Sequence, residues 1–457
     1  MNIVAVEYLV ILGGLFLLGT VFGSMLNVCI YRLPREERFW RALKYLVYPP
    51  SHCPRCGQRI LPIDNVPIFS WLLLRGRCRN CRGSIALRYP LIELLTGALF
   101  ALLYAFEIPA WFGAVIPASS VYHVLGPSGA GAPAGMTPLV LLHVRYVVHL
   151  ALVIALIVAT FIDIDLRIIP DTVTAPAMIV GVLANCLLGH VYIAPLWYMT
   201  PAMAGPAALF ANLLLPAGAT PGWLASWAAL LGVPAWITAH PHLHGLCVAL
   251  AGIIVGGGSV WAVRLAGFWA LKREAMGFGD VMLMAMIGSF IGWQGTLIVF
   301  LLSLLAAVVI AVPVWLIWRD HELPYGPYLG LGTLILLVSA KWIWPWFDTH
   351  VFAMGPFLVP AALFMIVALA GMLMAWRRVQ RALGWGPPET TFIGEWLPGD
   401  QLAYLAGELW DDRAGQWPRC QWPGRLSGRG QSHYEAWRNP SNSRRPPAAP
   451  PRPAKDS

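Results

Sequence analysis

Long apolar segments constrain the fold of this chain more than any other feature of its sequence. One of them, Val281–Trp318, contains no charged residue. As a single helix it would be about 57 Å long, at 1.5 Å per residue, whereas the hydrocarbon core of a bilayer is ~30 Å thick. Because Gly292 and Gly295 lie near its middle, the segment predicts two membrane-spanning helices joined by a tight turn.

Seven further apolar segments predict the remaining membrane-spanning helices. They are Tyr8–Tyr31, Leu91–Ile108, Tyr146–Ile162, Ala175–Leu196, Gly245–Val263, Pro327–Ala340 and Val351–Trp376. Charged residues make up only 12% of the chain and the mean hydropathy is +0.65, whereas ordinary soluble domains carry about 25% charged residues. The sequence therefore excludes a soluble globule, a disordered chain and a secreted disulfide scaffold. It predicts an all-α polytopic membrane protein with about nine transmembrane helices.

Clusters of basic residues predict the orientation of the chain. Between Arg32 and Arg88 there are twelve Lys or Arg residues and only three acidic ones. If the chain crosses the membrane nine times, this loop, the later basic loops and the C-terminal tail all lie on one side. The loops on the other side, at 109–144 and 196–244, contain no Lys or Arg. The positive-inside rule makes the basic side cytoplasmic. We therefore expect the N-terminus outside, the C-terminus inside, and the lipid bilayer rather than nucleic acid as the partner of this charge.

The same features divide the chain into four regions. Residues 1–108 contain the first span, a cytoplasmic basic loop at 32–90 and the second span, and residues 109–144 form an outer loop. Residues 145–376 form the main helical bundle, with a second outer loop at 196–244. Residues 377–457 form a basic tail that is rich in Arg, Pro, Ser and Gly, a composition that predicts a mostly disordered cytoplasmic extension.

Four cysteines of the basic loop have the spacing of a metal site. Cys53 and Cys56 form one C-x2-C pair, and Cys78 and Cys81 form another. Each pair can present two thiolates on one side of a tight turn, and four thiolates complete a tetrahedral structural Zn²⁺ site of zinc-ribbon type. Neighbouring arginines favour thiolates, and a reducing cytoplasm argues against disulfides. The alternatives are a fortuitous pattern and a redox-active C-x-x-C pair.

Aspartates at the predicted ends of spans are the candidates for chemistry, because ionisable groups at such positions are rare and usually functional. Asp163 and Asp165 follow the third span, and Asp280 follows Gly277 and Gly279 just before the sixth. Each motif alone has a plainer interpretation, namely a solvated helix end, a supporting loop residue or a flexible turn. The predicted topology, however, puts both motifs on one side. Two carboxylates in a partly dehydrated site share one proton, so that one can activate a water, as in aspartic peptidases.

Taken together, these motifs resemble those of the prepilin peptidases, a family of membrane aspartic peptidases. The aspartate motifs read Asp163-x-Asp165-x4-Pro170-Asp171 and Gly277-x-Gly279-Asp280. Further similarity lies in the two cysteine pairs and in the segments 23–34, 65–71 and 88–93, while Tyr325-Gly326-Pro327-Tyr328-Leu329 is similar to the family's Phe-Gly-Pro-Phe-Leu motif. The resemblance covers roughly residues 8–108, 145–195 and 245–345. Eight helices are therefore family-like, and one helix, both outer loops and the tail are additions.

The resemblance implies a function at the bacterial inner membrane. It implies removal of the basic leader from type IV prepilins and type II secretion pseudopilins, alongside the pilus or type II secretion assembly machinery. By the family's register the catalytic pair is Asp163 and Asp280, with Asp165, Gly277 and Gly279 in supporting positions. Many members with the cysteine pairs also methylate the new N-terminus with S-adenosylmethionine, but no G-x-G-x-x-G motif in a soluble segment indicates where that cofactor binds.

Four other polar residues have open interpretations. Glu93, at the start of the second span, could orient the substrate amine or form an ion pair with Arg88. His240, His242 and His244 of the second outer loop could bind a metal, although solvated loop histidines are the simpler interpretation.

Three alternative functions fit parts of the sequence. A peptidase-only member of the same family would lack methylation. A different intramembrane aspartyl protease with a G-x-G-D motif would predict no cysteine pairs. A transporter or membrane scaffold would use Asp163 and Asp280 as a proton relay and would predict internal repeats with broken helices, which the sequence does not contain.

Overall fold

The computed structural model describes residues 3–35, 39–48, 50–53, 56–108, 138–196, 235–271, 276–318, 324–352, 354 and 358–383. The regular structure of these residues is helical, apart from two isolated β-bridges that pair His52 with Arg59 and Arg77 with Ser84. Most of both predicted outer loops, at 109–137 and 197–234, and the tail from residue 384 lie outside the described residues.

The helices follow the apolar segments. They are α1 (Ile3–Arg32), α2 (Phe39–Val47), α3 (Phe69–Leu73), α4 (Arg88–Glu107), α5 (Pro138–Leu166), α6 (Asp171–Leu188), α7 (Ala235–Ala239), α8 (Pro241–Leu271), α9 (Phe278–Trp318), α10 (Gly326–His350) and α11 (Leu358–Ala382). Among the described residues, eight helices are long and apolar enough to cross a membrane, namely α1, α4, α5, α6, α8, α9, α10 and α11. The predicted all-α polytopic class is confirmed.

The helix α9 explains why eight spans are seen where about nine were predicted. Gly292, in its middle, has non-helical backbone angles, with φ 75° and ψ 173°. A Cβ on Gly256 of α8 would lie 2.6 Å from the carbonyl oxygen of Met284 and 2.8 Å from the methyl group of Thr296. In one straight helix those two residues would be about 18 Å apart. The chain therefore reverses at Gly292, and α9 consists of two arms that lie side by side.

Four predicted span boundaries were wrong, and two of them were too short: α5 begins at Pro138 and not at Tyr146, and α8 ends at Leu271 and not at Val263. The fourth span was predicted to reach Leu196, but α6 ends at Leu188 because Gly189 adopts a left-handed C-cap with φ 71°. The following residues are irregular and yet buried, as Val191 and Ala194 show. The span predicted to end at Ala340 continues to His350. Hydropathy alone does not separate a helix from a buried irregular segment, because both are apolar.

The described chain divides into two units. One is Met1–Ile164 with Ile168–Trp376, and the other is Asp165–Arg167 with Arg377–Ser457, of which residues 165–167 and 377–383 are described. In the first unit α1 packs on α4, α8 packs on α9 and α6, and α10 packs on the second arm of α9. Gly252 and Gly288 let α8 and α9 approach closely, because a Cβ on either would lie about 2 Å from the carbonyl oxygen of the other.

Candidate active site

Asp163 is held by the first residue of another helix. It lies near the C-terminal end of α5, and only 5% of its surface is exposed. Its Oδ2 accepts a hydrogen bond of 3.0 Å from the backbone N–H of Gly326, where α10 begins. The first N–H groups of a helix have no partner within it, so the carboxylate satisfies one of them. A Cβ on Gly326 would lie 2.5 Å from the same oxygen, and a side chain there would displace the carboxylate.

Asp280 lies in the first turn of α9 and is 8% exposed. The backbone N–H of Gly277 donates a hydrogen bond to it, and a Cβ on Gly277 would lie 3.5 Å from Asp280 Oδ2. The Asp280 carboxyl interacts electrostatically with Asp163 and with the buried Arg264. Arg264 of α8 also lies over the ring of Phe278, at 5.8 Å from its centroid. The sequence identified Arg264 only as a marker of membrane orientation.

Ile169 connects the two aspartate motifs. A Cβ on Gly326 would lie 3.3 Å from Ile169 Cδ1, and one on Gly279 would lie 3.0 Å from Ile169 Cβ. Gly326 contacts Asp163, and Gly279 directly precedes Asp280. The structure therefore brings Asp163, Asp280 and both glycines of the G-x-G-D motif into one site.

Tyr325, which the sequence indicated only as part of a motif, and Ser303, which it did not indicate, are polar neighbours of this site. The Tyr325 hydroxyl lies 2.7 Å from Ser303 Oγ, and Ser303 Oγ donates to the carbonyl oxygen of Phe300 at 2.7 Å. Burial raises the pKa of Tyr325, the hydrogen bond with Ser303 opposes that shift, and the nearby charge of Asp280 adds to it. The phenol is therefore neutral at physiological pH. Its place directly before Gly326-Pro327 was the available signal for Tyr325, whereas nothing in the sequence indicated Ser303.

Asp165 lies on α5 two residues after Asp163, is half-buried and belongs to the second unit of the chain.

Glu93 connects α4 to the cysteine loop. It is buried, and its Oε2 accepts a 2.7 Å hydrogen bond from the backbone N–H of Ile68, with a second hydrogen bond from Ser24. Ile68 has φ 60°, which is rare for a β-branched residue and strained. The Arg88 guanidinium donates to the carbonyl oxygen of Phe161 at 3.3 Å. The sequence did not indicate Ile68 as the partner of Glu93.

The four cysteine sulfurs converge. They all lie within 4.8 Å of one another, and the sulfurs of Cys53 and Cys81 are 3.9 Å apart. A metal ion held tetrahedrally by sulfurs at ~2.3 Å places those sulfurs about 3.8 Å apart. The backbone N–H groups of Cys81 and then Asn80 lower the pKa of Cys78 to about 7. Although the backbone of Gln58 opposes the shift, burial and hydrogen bonds with the other three sulfurs raise the pKa of Cys56 to about 11. The donor set fits a tetrahedral metal ion.

Both cysteine pairs are closed by the same backbone pattern. Cys53 donates its N–H to Gln58, five residues on, and Cys78 likewise donates to Gly83. The residue before each acceptor has a positive φ, Gly57 in the first turn and Arg82 in the second. Asp64, between the pairs, accepts hydrogen bonds at both carboxylate oxygens from Nε and Nη2 of Arg79, and this ion pair lowers the pKa of Asp64.

The histidines of the second outer loop do not form a metal site. His244 is fully buried and its Nε2 accepts the backbone N–H of Leu196, whereas the exposed His242 lies with Nδ1 3.0 Å from the carbonyl oxygen of Cys186. The expectation of solvated histidines was therefore wrong for His244. Within the described residues, the four cysteines are the one set of three or more His, Cys, Asp or Glu side chains that converges on a point.

The polytopic helical bundle, the two buried aspartates on different helices and the four-cysteine loop are the features expected of a membrane peptidase. The chain belongs to the prepilin leader peptidase family. The model of the bacterial peptidase A24 N-terminal domain matches residues 17–106, and that of the type IV leader peptidase family matches residues 219–312. The first match contains all four cysteines and the second contains Asp280, while Asp163 lies between them.

Relatives named prepilin leader peptidase/N-methyltransferase support the same assignment. The protein of Aeromonas salmonicida (strain A449) is 30% identical over 353 residues, which are 73% of this chain and 92% of the relative. That of Pseudomonas aeruginosa is 29% identical over 347 residues, 70% of this chain and 88% of the relative. That of Myxococcus xanthus is 31% identical over 299 residues, which are 65% of this chain and 61% of the relative. No solved structure matches the chain.

Proposed function

We propose that the chain removes the leader of prepilins by aspartic-peptidase chemistry, with Asp163 and Asp280 as the catalytic pair. The observation that carries the proposal is that Asp163 and Asp280 are both buried and interact electrostatically, with Ile169 lying against Gly326 of one motif and Gly279 of the other. One carboxylate removes a proton from a water as that water attacks the scissile carbonyl carbon. The other donates its proton to the carbonyl oxygen. The C–N bond then breaks as the first carboxyl group passes the water proton to the leaving amine, and the second recovers a proton from the hydroxyl group of the intermediate.

The substrate and the membrane orientation follow from the relatives and from charge. We infer prepilin and pseudopilin substrates from the relatives' names, and the pilus or type II secretion machinery as the setting. A basic leader stays in the cytoplasm while the apolar helix of the prepilin lies in the bilayer. The junction between them is then at the level of helix ends, where Asp163 and Asp280 lie. This fits a cytoplasmic site with the N-terminus of the chain outside.

Methylation is the second activity that we propose. The supporting observation is that the relatives are named as N-methyltransferases as well as peptidases. S-adenosylmethionine would be the methyl donor. Zinc would bind Cys53, Cys56, Cys78 and Cys81 with all four coordination positions filled by sulfur, so that its role is to organise the loop and not to activate water.

The decisive experiment is co-expression with a model prepilin, followed by mass spectrometry of the pilin N-terminus. Asp163→Asn and Asp280→Asn should each abolish leader removal while the protein still inserts in the membrane, because each removes one partner of the shared proton. Asp165→Asn, on the same helix, is the matched control and should retain cleavage.

Three results would contradict parts of this proposal. Normal processing by either of the first two variants would refute the catalytic pair. An inactive Asp165→Asn variant beside an active Asp163→Asn variant would show that the register is wrong. No cleavage by the unaltered protein would favour a transporter or scaffold, and cleavage without methylation would identify a peptidase-only member.

A further inference from the structure

The short helix α2 has an apolar face that the rest of the described chain does not cover. Trp40 is 78% exposed and Val47 is 81% exposed, and Phe39 and Leu43 are exposed as well. The side of the helix next to Phe39 packs on protein, since Ala42 is only 2% exposed. Exposed aromatic and aliphatic side chains on a helix outside the membrane spans call for a partner.

The exposed residues form a contiguous stripe. At 100° per residue, Phe39, Leu43, Val47 and Trp40 fall within an arc of about 100°. The next part of the helix surface carries the exposed Lys44 and Arg41. Bulky apolar residues on one face with basic residues beside them are typical of helices that lie in the plane of a membrane surface.

The preceding helix holds α2 at the end of a membrane span. Arg32 is the last residue of the candidate span Val6–Arg32. Its Nη1 donates to the carbonyl oxygens of Tyr45 at 2.8 Å and Leu46 at 3.2 Å, and its guanidinium lies 5.5 Å from the centroid of the Tyr45 ring. The charged side chain of Arg32 thus supplies hydrogen bonds to two carbonyl groups in the last turn of α2, which have no partner within the helix. This contact ties α2 to the level at which the chain leaves the hydrocarbon core.

We propose that α2 is an interfacial helix that binds anionic phospholipid, with Phe39, Trp40, Leu43 and Val47 among the acyl chains and Arg41 and Lys44 at the headgroup phosphates. The excess of basic residues between Arg32 and Arg88 favours an anionic surface and disfavours a basic peptide such as a prepilin leader. The lipid surface therefore anchors the segment that leads into the cysteine loop. This inference does not depend on the catalytic assignment.

Photocrosslinking of the full chain tests the apolar face. Benzoylphenylalanine at position 40 or 47 would be introduced into protein held in nanodiscs of phosphatidylcholine and phosphatidylglycerol, and adducts would be identified by mass spectrometry. We expect lipid adducts from positions 40 and 47, and several-fold fewer from position 41 on the polar side of the same helix. Adducts to a co-reconstituted prepilin at positions 40 and 47, or equal lipid adducts at all three positions, would overturn the proposal.

The preference for anionic lipid is tested separately. In the same nanodiscs, the double variant Arg41→Gln plus Lys44→Gln should lower the ratio of phosphatidylglycerol to phosphatidylcholine adducts at position 40 several-fold. An unchanged ratio would refute the role of the two basic residues. Since both readouts are lipid adducts and not cleavage, their outcome is independent of whether Asp163 and Asp280 are catalytic. Gel filtration of each variant shows that it has folded.

Discussion

At the scale of single residues, the hydrogen bond from Gly326 to Asp163 Oδ2 defines where that carboxylate can lie. We expect Gly326→Ala to lower the rate of leader cleavage about 10²-fold. The added Cβ would lie 2.5 Å from Oδ2, and a displacement of about 1 Å in a catalytic group has an effect of that order. The rate would be measured on purified protein with a prepilin substrate.

Gly371→Ala is the control for that substitution, because a Cβ on Gly371 has no neighbour within 4 Å. It should leave the cleavage rate unchanged. Wild-type cleavage by folded Gly326→Ala protein would show that this contact does not position the carboxylate.

The hydrogen bond between Tyr325 and Ser303 should contribute less, because neither hydroxyl contacts an aspartate oxygen directly in the described structure. Its loss in Tyr325→Phe should lower kcat for cleavage by about fivefold, which corresponds to the ~1 kcal/mol net value of a neutral hydrogen bond. Ser303→Ala should have the same effect through the same bond. The double variant should then be no slower than either single variant. Additive losses in this double-mutant cycle would show that the two hydroxyls act separately.

At the scale of elements, the reversal of α9 at Gly292 builds one wall of the site. Asp280 lies in the first turn of its first arm, and its second arm brings Ser303 back to Tyr325, which directly precedes α10. The site therefore needs both arms, and a continuous helix would place Ser303 about 35 Å from Asp280.

The cysteine loop is a second element with its own prediction. We expect one zinc ion per purified chain, and none in the double variant Cys53→Ser plus Cys56→Ser, because two remaining thiolates do not close a tetrahedral site. Metal analysis by mass spectrometry checks this. Cys186→Ser, outside the cluster, is the control and should retain the ion. Equal zinc in the double variant and the unaltered chain would refute the site.

At the scale of the whole molecule, the two proposed activities draw on different parts of the chain. The cysteine loop lies between α1 and α4, whereas both aspartates come from α5 and later helices. We expect Cys78→Ser plus Cys81→Ser to cleave prepilin and to leave its N-terminus unmethylated, since a closed Zn(Cys)4 centre supports a fold and does not activate water. Mass spectrometry of the processed pilin distinguishes the two products. Loss of cleavage at an unchanged protein level would instead make the loop part of the peptidase.

The sequence by itself determined the class of the molecule. Membrane spans could be predicted because the free energy of placing a segment in a bilayer depends on its own composition, and the break at Gly292 followed from the length of one apolar run. The four-cysteine cluster followed from local spacing, and the family from short motifs. The same local rules did not find the lipid-facing stripe of α2, which becomes visible only when the exposure of each side chain is known.

Tertiary structure alone decided which polar groups meet. Asp163 receives its hydrogen bond from Gly326, Glu93 binds Ile68, and Tyr325 binds Ser303. Each of these pairs joins residues from different helices or loops. Their contacts depend on how closely the helices approach and where each one ends, as at Gly189, where buried irregular chain replaces the predicted helix. Such distances come from the packing of many side chains at once, and hydropathy and spacing along one segment contain no information about them.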